Sequence, residues 1–186
     1  MQTKPNKTNK KVLFVWLFGG IIGLSVLMFA SWVIIEGSME ATSGAEFCGL
    51  CHTMTPMVKA NAQSLHGGNT PYGAVAKCND CHTTHDNLID YVWDKTRFGA
   101  HDTWVYFMYD LDEIDWIEKR KHREDFVFDS GCMSCHHNLE KATMANPKAF
   151  VAHKPYFLGD TNSKCVTCHE HVGHDNLSYF ISRAKN

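Results

Sequence analysis

The sequence predicts a mostly α-helical chain with extensive irregular structure, in which one N-terminal transmembrane helix precedes a compact domain built from two duplicated halves. Three observations predict this. Residues 12–35 are an uncharged apolar run, all eight cysteines fall in one motif repeated four times, and residues around those motifs recur in register between the two halves. A length of 186 residues suits one modest domain plus an appendage. An apolar fraction of 44% excludes a disordered chain. A net charge of −2, with no Lys/Arg stripe among aromatics, excludes a nucleic-acid partner. The mean hydropathy of −0.28 averages two unlike parts.

The run from Val12 to Ile35 holds 24 residues without a formal charge. As a helix rising about 1.5 Å per residue it reaches about 36 Å, enough for a hydrocarbon core of about 30 Å. A cleaved signal peptide is the rival reading. Its apolar region is usually about 7–15 residues and ends at a small-x-small site, so the longer run here favours an uncleaved anchor. Lys4, Lys7, Lys10 and Lys11 precede the run, and Glu36, Glu40 and Glu46 follow it. Positive charge is retained in the cytoplasm. The expected topology is a cytoplasmic basic tail at 1–11, an anchor at 12–35 in a bacterial inner membrane, and a periplasmic domain at 37–186. That domain has 14 basic residues against 19 acidic ones.

The cysteine motifs are Cys48-x-x-Cys51-His52, Cys78-x-x-Cys81-His82, Cys132-x-x-Cys135-His136 and Cys165-x-x-Cys168-His169. C-x-x-C-H is the attachment signature of c-type haem: two thiols bond the vinyl groups, and the adjacent histidine becomes the proximal iron ligand. Structural zinc would also use paired cysteines, but does not need a histidine after every pair. A disulfide scaffold suits an oxidising compartment, but bridging within C-x-x-C is a redox feature. The expectation is four covalent c-type haems, with porphyrin supplying much of the core around short helices and long connections. The domain then reads as a compact multihaem unit of two dihaem halves, at about 45–109 and 126–186.

Successive motifs are 30, 54 and 33 residues apart. His66 precedes Cys78 by 12 residues, and His153 precedes Cys165 by 12. His85-Asp86-Asn87-Leu88 follows the second motif, as His174-Asp175-Asn176-Leu177 follows the fourth. Such internal repetition marks a duplicated unit. Recurrence makes His66, His85, His153 and His174 the candidate distal ligands. His122 lies in a charged run, and His137 and His171 have no counterpart in the other half. Paired histidine ligation suits electron transfer.

Residues Leu88–Met108 read as mostly helical and aromatic, with Gly99 a weak point. Lys95 and Asp102 fall about 20° apart around such a helix, two turns along one face; spacing alone leaves a solvated pair and a functional pair both open. The connector 110–125 is highly charged, with Ile114, Trp116 and Ile117 as a narrow apolar stripe, and reads as a helix with a solvated face. Asp160–Lys164 reads as a loop, and the tail after Leu177 as a cap.

The anchor, the four motifs and the strings Phe47-Cys48-Gly49-Leu50-Cys51-His52-Thr53-Met54, Cys78-Asn79-Asp80-Cys81-His82-Thr83-Thr84-His85 and Cys165-Val166-Thr167-Cys168-His169 resemble the NapC/NirT/NrfH family of membrane-anchored tetrahaem quinol dehydrogenases. The resemblance spans nearly the whole chain. It implies oxidation of menaquinol or ubiquinol from the membrane pool, with electrons passed to a periplasmic terminal reductase or its small cytochrome subunit; homo- and hetero-oligomers both stay open. It implies that Met54 approaches the first iron in place of His52, although packing beside Met57 is the alternative. It also implies that Lys95 and Asp102 belong to the quinol site, as head-group ligand and proton acceptor. A first haem held this way would leave one of the four recurring histidines spare. A histidine at position 153 leans towards the NapC-like branch over the NrfH-like one. A passive haem relay between proteins, and a terminal reductase with an open haem, are the competing functions.

Overall fold

The computed structural model describes residues 9–110 and 113–184, apart from the side chain of His52. Lys4 and Lys7 of the basic tail lie outside the described residues, as do Leu111 and Asp112 of the connector. The described residues are helical with long irregular connections and no strand. The chain divides into two units at Thr42/Ser43.

The first unit is α1 (Lys10–Ala41), capped by the Asn9 side chain, which accepts from the Lys11 N–H. It extends past the uncharged run at both ends. At about 1.5 Å per residue it is about 48 Å long. Its apolar side chains are exposed all round, as in a helix whose solvent is lipid. Near its end the Ser38 and Thr42 hydroxyls donate to carbonyls four residues back.

The second unit contains α2 (Ala45–Cys48), a 3₁₀ turn at His52–Met54, α3 (Thr55–Gln63), α4 (Cys78–His82) and α5 (Leu88–Met108). It continues with α6 (Trp116–Arg120), a 3₁₀ turn at Arg123–Asp125, α7 (Asp129–Cys135), α8 (Leu139–Met144), α9 (Pro147–Leu158), α10 (Cys165–Cys168) and α11 (Leu177–Ala184). Helix α5 starts where Asn87 Oδ1 accepts the Asp90 N–H at 2.9 Å, an N-cap with an acidic first turn. It runs unbroken through Gly99. Helix α9 combines an Asn146 cap, Pro147 in its first turn and Gly159 at φ 70° just past its end, the usual start and stop chemistry.

Two expectations change. Among its described residues the connector is broken into short helical pieces, α6 and the 3₁₀ turn at Arg123–Asp125 among them, not one helix. The Asp115 carboxylate caps α6 by accepting from the Ile117 and Glu118 N–H groups, both at 3.0 Å, and α6 stops at Arg120. Arg120 and Arg123 then leave the connector for carbonyls near the fourth motif. Arg120 donates to Glu170 O at 2.7 Å; Arg123 donates to Val166 O at 2.7 Å and Thr167 O at 3.1 Å. The tail after Leu177 is core, not a cap: Leu177 and Ile181 of α11 pack with Ala60 of α3, and Met57, Trp116 and Phe180 close over them. That cluster joins the first half of the domain to the second. Pro56, Ala60, Val166, Leu177 and Ile181 are the buried apolar side chains among the described residues, a side-chain core far smaller than a domain of this length needs.

Candidate haem-ligand and quinol-facing site

Each C-x-x-C pair lies on or beside a short helix, which brings both thiols to one side. The second and fourth motifs are built alike. Lys77 and Lys164 hold extended backbone at the N-cap, and their N–H groups are taken by Asp80 Oδ2 at 2.8 Å and Thr167 Oγ1 at 2.9 Å. The repetition seen in the sequence is therefore also a repetition of local structure. All eight thiols are unbridged.

The motifs touch in chain order. The Cys48 and Cys78 thiols hydrogen-bond each other, which pulls Cys48 down to about 7 and pushes Cys78 up. Cys132 and Cys165 repeat the arrangement, with Cys132 lowered and Cys165 raised. Between the pairs, burial pushes the Cys81 thiol up to about 11, and the nearby Cys132, Asp80 and Cys135 add to the rise. The middle junction is a close backbone approach. A Cβ on buried Gly131 of α7 would lie 2.1 Å from Asp80 O of α4, so only glycine fits. Phe128 N–H donates to Cys81 O at 3.1 Å across the same junction. Beside it the Ser130 hydroxyl accepts the His85 N–H at 2.9 Å and meets Thr84 Oγ1 at 3.1 Å, while Thr84 N–H donates to the buried Asp94 of α5.

Three motif histidines face a second imidazole. Ring centres are 6.2 Å apart for His82 and His174, 6.1 Å for His66 and His136, and 5.9 Å for His153 and His169. A metal–imidazole bond is about 2.0–2.1 Å, so two imidazoles on opposite sides of one metal hold their ring centres about 6 Å apart. The nitrogens are prepared accordingly. The Nδ1 atoms of His82, His153 and His174 lie 2.9, 2.8 and 3.1 Å from the carbonyls of Phe126, Ala149 and Met57. A proton held on Nδ1 leaves the Nε2 lone pair free to ligate. Burial lowers His66, His82 and His174, the last to about 4 with His82 adding to the drop, so all three stay neutral. Neutral imidazole is the ligating form. The residues present therefore fit bis-imidazole iron between each pair, one of the ligand sets a haem takes.

His85 stands apart. Its Nε2 lies 3.3 Å from Asn79 O and its ring packs edge-on to Tyr91 at 5.5 Å. The nitrogen that is free in the other three is the engaged one here. Two of the three pairs also cross the halves: His66 of the first half faces the third motif, and His174 of the second half faces the second motif. His122 and Asp125 form an exposed pair at 3.8 Å. Met54 sits in the 3₁₀ turn after the first motif, half-buried, and the His52 side chain lies outside the described residues.

Lys95 and Asp102 meet the first motif from α5. Lys95 Nζ donates to Ser43 Oγ at 2.7 Å, and the buried Ser43 also accepts the Asn79 N–H through its carbonyl at 3.3 Å. Lys95 lowers and Asp102 raises the Cys48 thiol, so both charges act on the first attachment site. The Asp102 side chain is 76% exposed and lies 3.3 Å from His101 Nδ1. Ser43, the carbonyls of Met57, Phe126 and Ala149, and Gly131 escaped the sequence reading. Carbonyls leave no residue-type signal, and Ser43 is 52 residues from Lys95.

Residues 6–179 match the model of the NapC/NirT cytochrome c family, N-terminal region. The chain is 29% identical over 179 residues to the tetraheme c-type cytochrome CymA of Shewanella oneidensis, covering 88% of this chain and 90% of CymA. It is 25% identical over 170 residues to the cytochrome c-type protein NapC of Haemophilus influenzae, covering 84% of this chain and 80% of that protein. The cytochrome c-type protein TorC of Escherichia coli is 25% identical over 177 residues, 88% of this chain but 42% of TorC. The chain thus spans less than half the length of TorC. Among solved structures, a chain of the cytochrome c nitrite reductase NrfHA complex bound to the HQNO inhibitor shares the fold, with a TM-score of 0.51 and 23% identity over 82% of this chain and 90% of that one. A match over almost all of the described chain, on a scaffold whose paired imidazoles suit haem iron, makes this protein a member of the NapC/NirT cytochrome c family and a membrane-anchored multihaem cytochrome of electron transport.

Proposed function

We propose that the protein carries four covalent c-type haems, oxidises menaquinol or ubiquinol at the outer face of the inner membrane, and passes the electrons to a periplasmic terminal reductase or its small cytochrome subunit. The observation that carries the reading is the placement of Lys95 and Asp102 on one helix, with Lys95 Nζ on Ser43 Oγ at 2.7 Å just ahead of the first motif and the Asp102 carboxylate open to solvent. Bound haems supply one-electron redox sites in series. The chain's own residues do the rest. Lys95, steadied by Ser43, binds and orients the quinol head group. Asp102, open to solvent, accepts a hydroxyl proton and releases it to water. His82 with His174, His136 with His66, and His169 with His153 would hold the second, third and fourth irons. As the family resemblance implies, Met54, or in its place His52, would serve the first, and His85 is the spare histidine. A partner for the fourth motif supplied within the chain, His153 facing His169, supports the NapC-like branch. Contact of the motifs in chain order supports an electron path from first to fourth.

Four lysines before the anchor, against glutamates after it, support a cytoplasmic N-terminus and a periplasmic domain. The test is Asp102→Asn in proteoliposomes with quinol and an artificial electron acceptor. Loss of a positioned base lowers the rate by about 10²-fold or more, with haem content unchanged. Wild-type quinol oxidation by that variant removes the proton-acceptor role. No quinol oxidation by the wild-type protein, with normal electron uptake from a reduced protein donor, leaves a relay.

A further inference from the structure

We propose that α5 lies in the lipid–water boundary as a second membrane contact, with its outward face against acyl chains and head groups. At about 100° per residue, Ile89, Val92, Trp93, Ala100, Trp104 and Phe107 fall within about 60° on either side of Ile89. Every one of them is exposed, with Ile89 80%, Trp93 65% and Phe107 73% accessible. The arc carries no charge. Asp90, Arg97 and His101 begin beyond it on one side, and Lys95 and Asp102 on the other. Two further residues in the arc are polar, Thr96 and Thr103. Their hydroxyls donate within the helix to Val92 O and Gly99 O, both at 2.7 Å. Apart from the indole N–H groups of Trp93 and Trp104, which suit the head-group layer, the face therefore presents no hydrogen-bonding group that needs water.

An uncharged face of this kind on an otherwise polar domain calls for a partner, and three observations select lipid. The first is continuity with the membrane span. Lys95, in the middle of α5, donates to Ser43, two residues beyond the end of α1. From Ile35 to Ala41 helix α1 rises only about 9 Å, close to the depth of the head-group layer. Ser43, two residues further along the chain, and the Lys95 ammonium hydrogen-bonded to it are therefore tethered close to that layer. The second is composition. Tryptophan concentrates at membrane interfaces, and four of the chain's five, Trp16, Trp32, Trp93 and Trp104, lie on α1 or in this arc. The third is the direction of the haem site. Lys95 and Asp102, the α5 residues that act on Cys48, leave the helix about 120–140° from the arc's centre. The first attachment site is on the other side of α5. An interfacial helix with such a face buries it about 5–10 Å into the boundary. The inference needs the membrane span but not the quinol assignment.

The test is lipid photolabelling of the full-length, haem-loaded protein in nanodiscs holding one copy each. The discs contain a phosphatidylglycerol–phosphatidylcholine mixture doped with a phospholipid bearing a diazirine on its acyl chain. Adducts are mapped by peptide mass spectrometry after irradiation. The expected result is labelling of Trp93, Trp104 and Phe107 within about threefold of α1 and about tenfold above the exposed Val151 and Leu158 of α9. Adducts confined to α1, with α5 at the α9 level, overturn the proposal. Single-copy discs exclude a second chain as the cover, so an unlabelled α5 then marks a protein-docking or solvent-facing helix. Quinol oxidation in the same discs reads separately, so failure of one conclusion does not imply failure of the other.

Discussion

Gly131→Ala tests the junction on which the second and third motifs meet. The added methyl would sit 2.1 Å from Asp80 O, 3.2 Å from Asp80 C and 3.5 Å from Cys81 Cα. Both partners are backbone, so no side chain can swing aside. Relief requires α4 and α7 to part by about 1 Å, and overpacking of this kind costs about 1–3 kcal/mol, occasionally more. A domain of about 150 residues loses about 2–4 °C of Tm per kcal/mol, so the expected drop is about 2–12 °C. The readout is thermal unfolding of the matured cytochrome by far-ultraviolet circular dichroism, with haem content measured in parallel. Gly99→Ala is the control of opposite sign. A Cβ there meets nothing within 4 Å, and replacing an interior helical glycine contributes about 0.5–1 kcal/mol, raising Tm. Equal Tm values for Gly131→Ala and wild type, with Gly99→Ala raised, would refute the close approach.

Other substitutions probe separate contacts. Arg123→Ala removes three hydrogen bonds from a side chain that is 19% exposed, two of them to carbonyls of the fourth motif. The expected loss is about 1–3 kcal/mol by guanidinium titration, and Arg123→Lys should restore little, because an ammonium cannot reproduce the fork. Wild-type stability in Arg123→Ala would remove the connector's anchoring role. His174→Ala should leave haem content intact while converting one low-spin centre to high spin in the magnetic circular dichroism spectrum; His85→Ala should change no spin state. A spin change in His85→Ala, with none in His174→Ala, would exchange their proposed roles. Asn146→Ala removes the cap of α9 and should cost about 1 kcal/mol, read as a lower denaturation midpoint.

Much of the helical layout was legible. Leu88–Met108 is a helix with the boundaries read from its pattern, because a capping asparagine and apolar periodicity act locally. Asp160–Lys164 is a loop for equally local reasons. The connector was misread because its outcome is not local: Asp115 can cap only if the chain turns there, and Arg120 and Arg123 find carbonyls about 50 and 43 residues away. The tail was misread because Leu177 and Ile181 gain their burial from Ala60, on the other half of the domain.

By itself the sequence determined the anchor, the four attachment motifs and the duplication. Each rests on covalent spacing or on transfer of side chains from water, and neither depends on what folds against them. Tertiary structure decided which histidine faces which motif. The duplication makes His66 and His153 equivalents by spacing, and His85 and His174 equivalents by their shared His-Asp-Asn-Leu string. Yet His66 and His174 reach across to the opposite half, His153 stays within its own, and His85 turns its Nε2 to Asn79. Spacing along a chain fixes what is possible within a few turns. Partners across more than 50 residues are chosen by packing, here by α3 on α11 and by the glycine contact between α4 and α7.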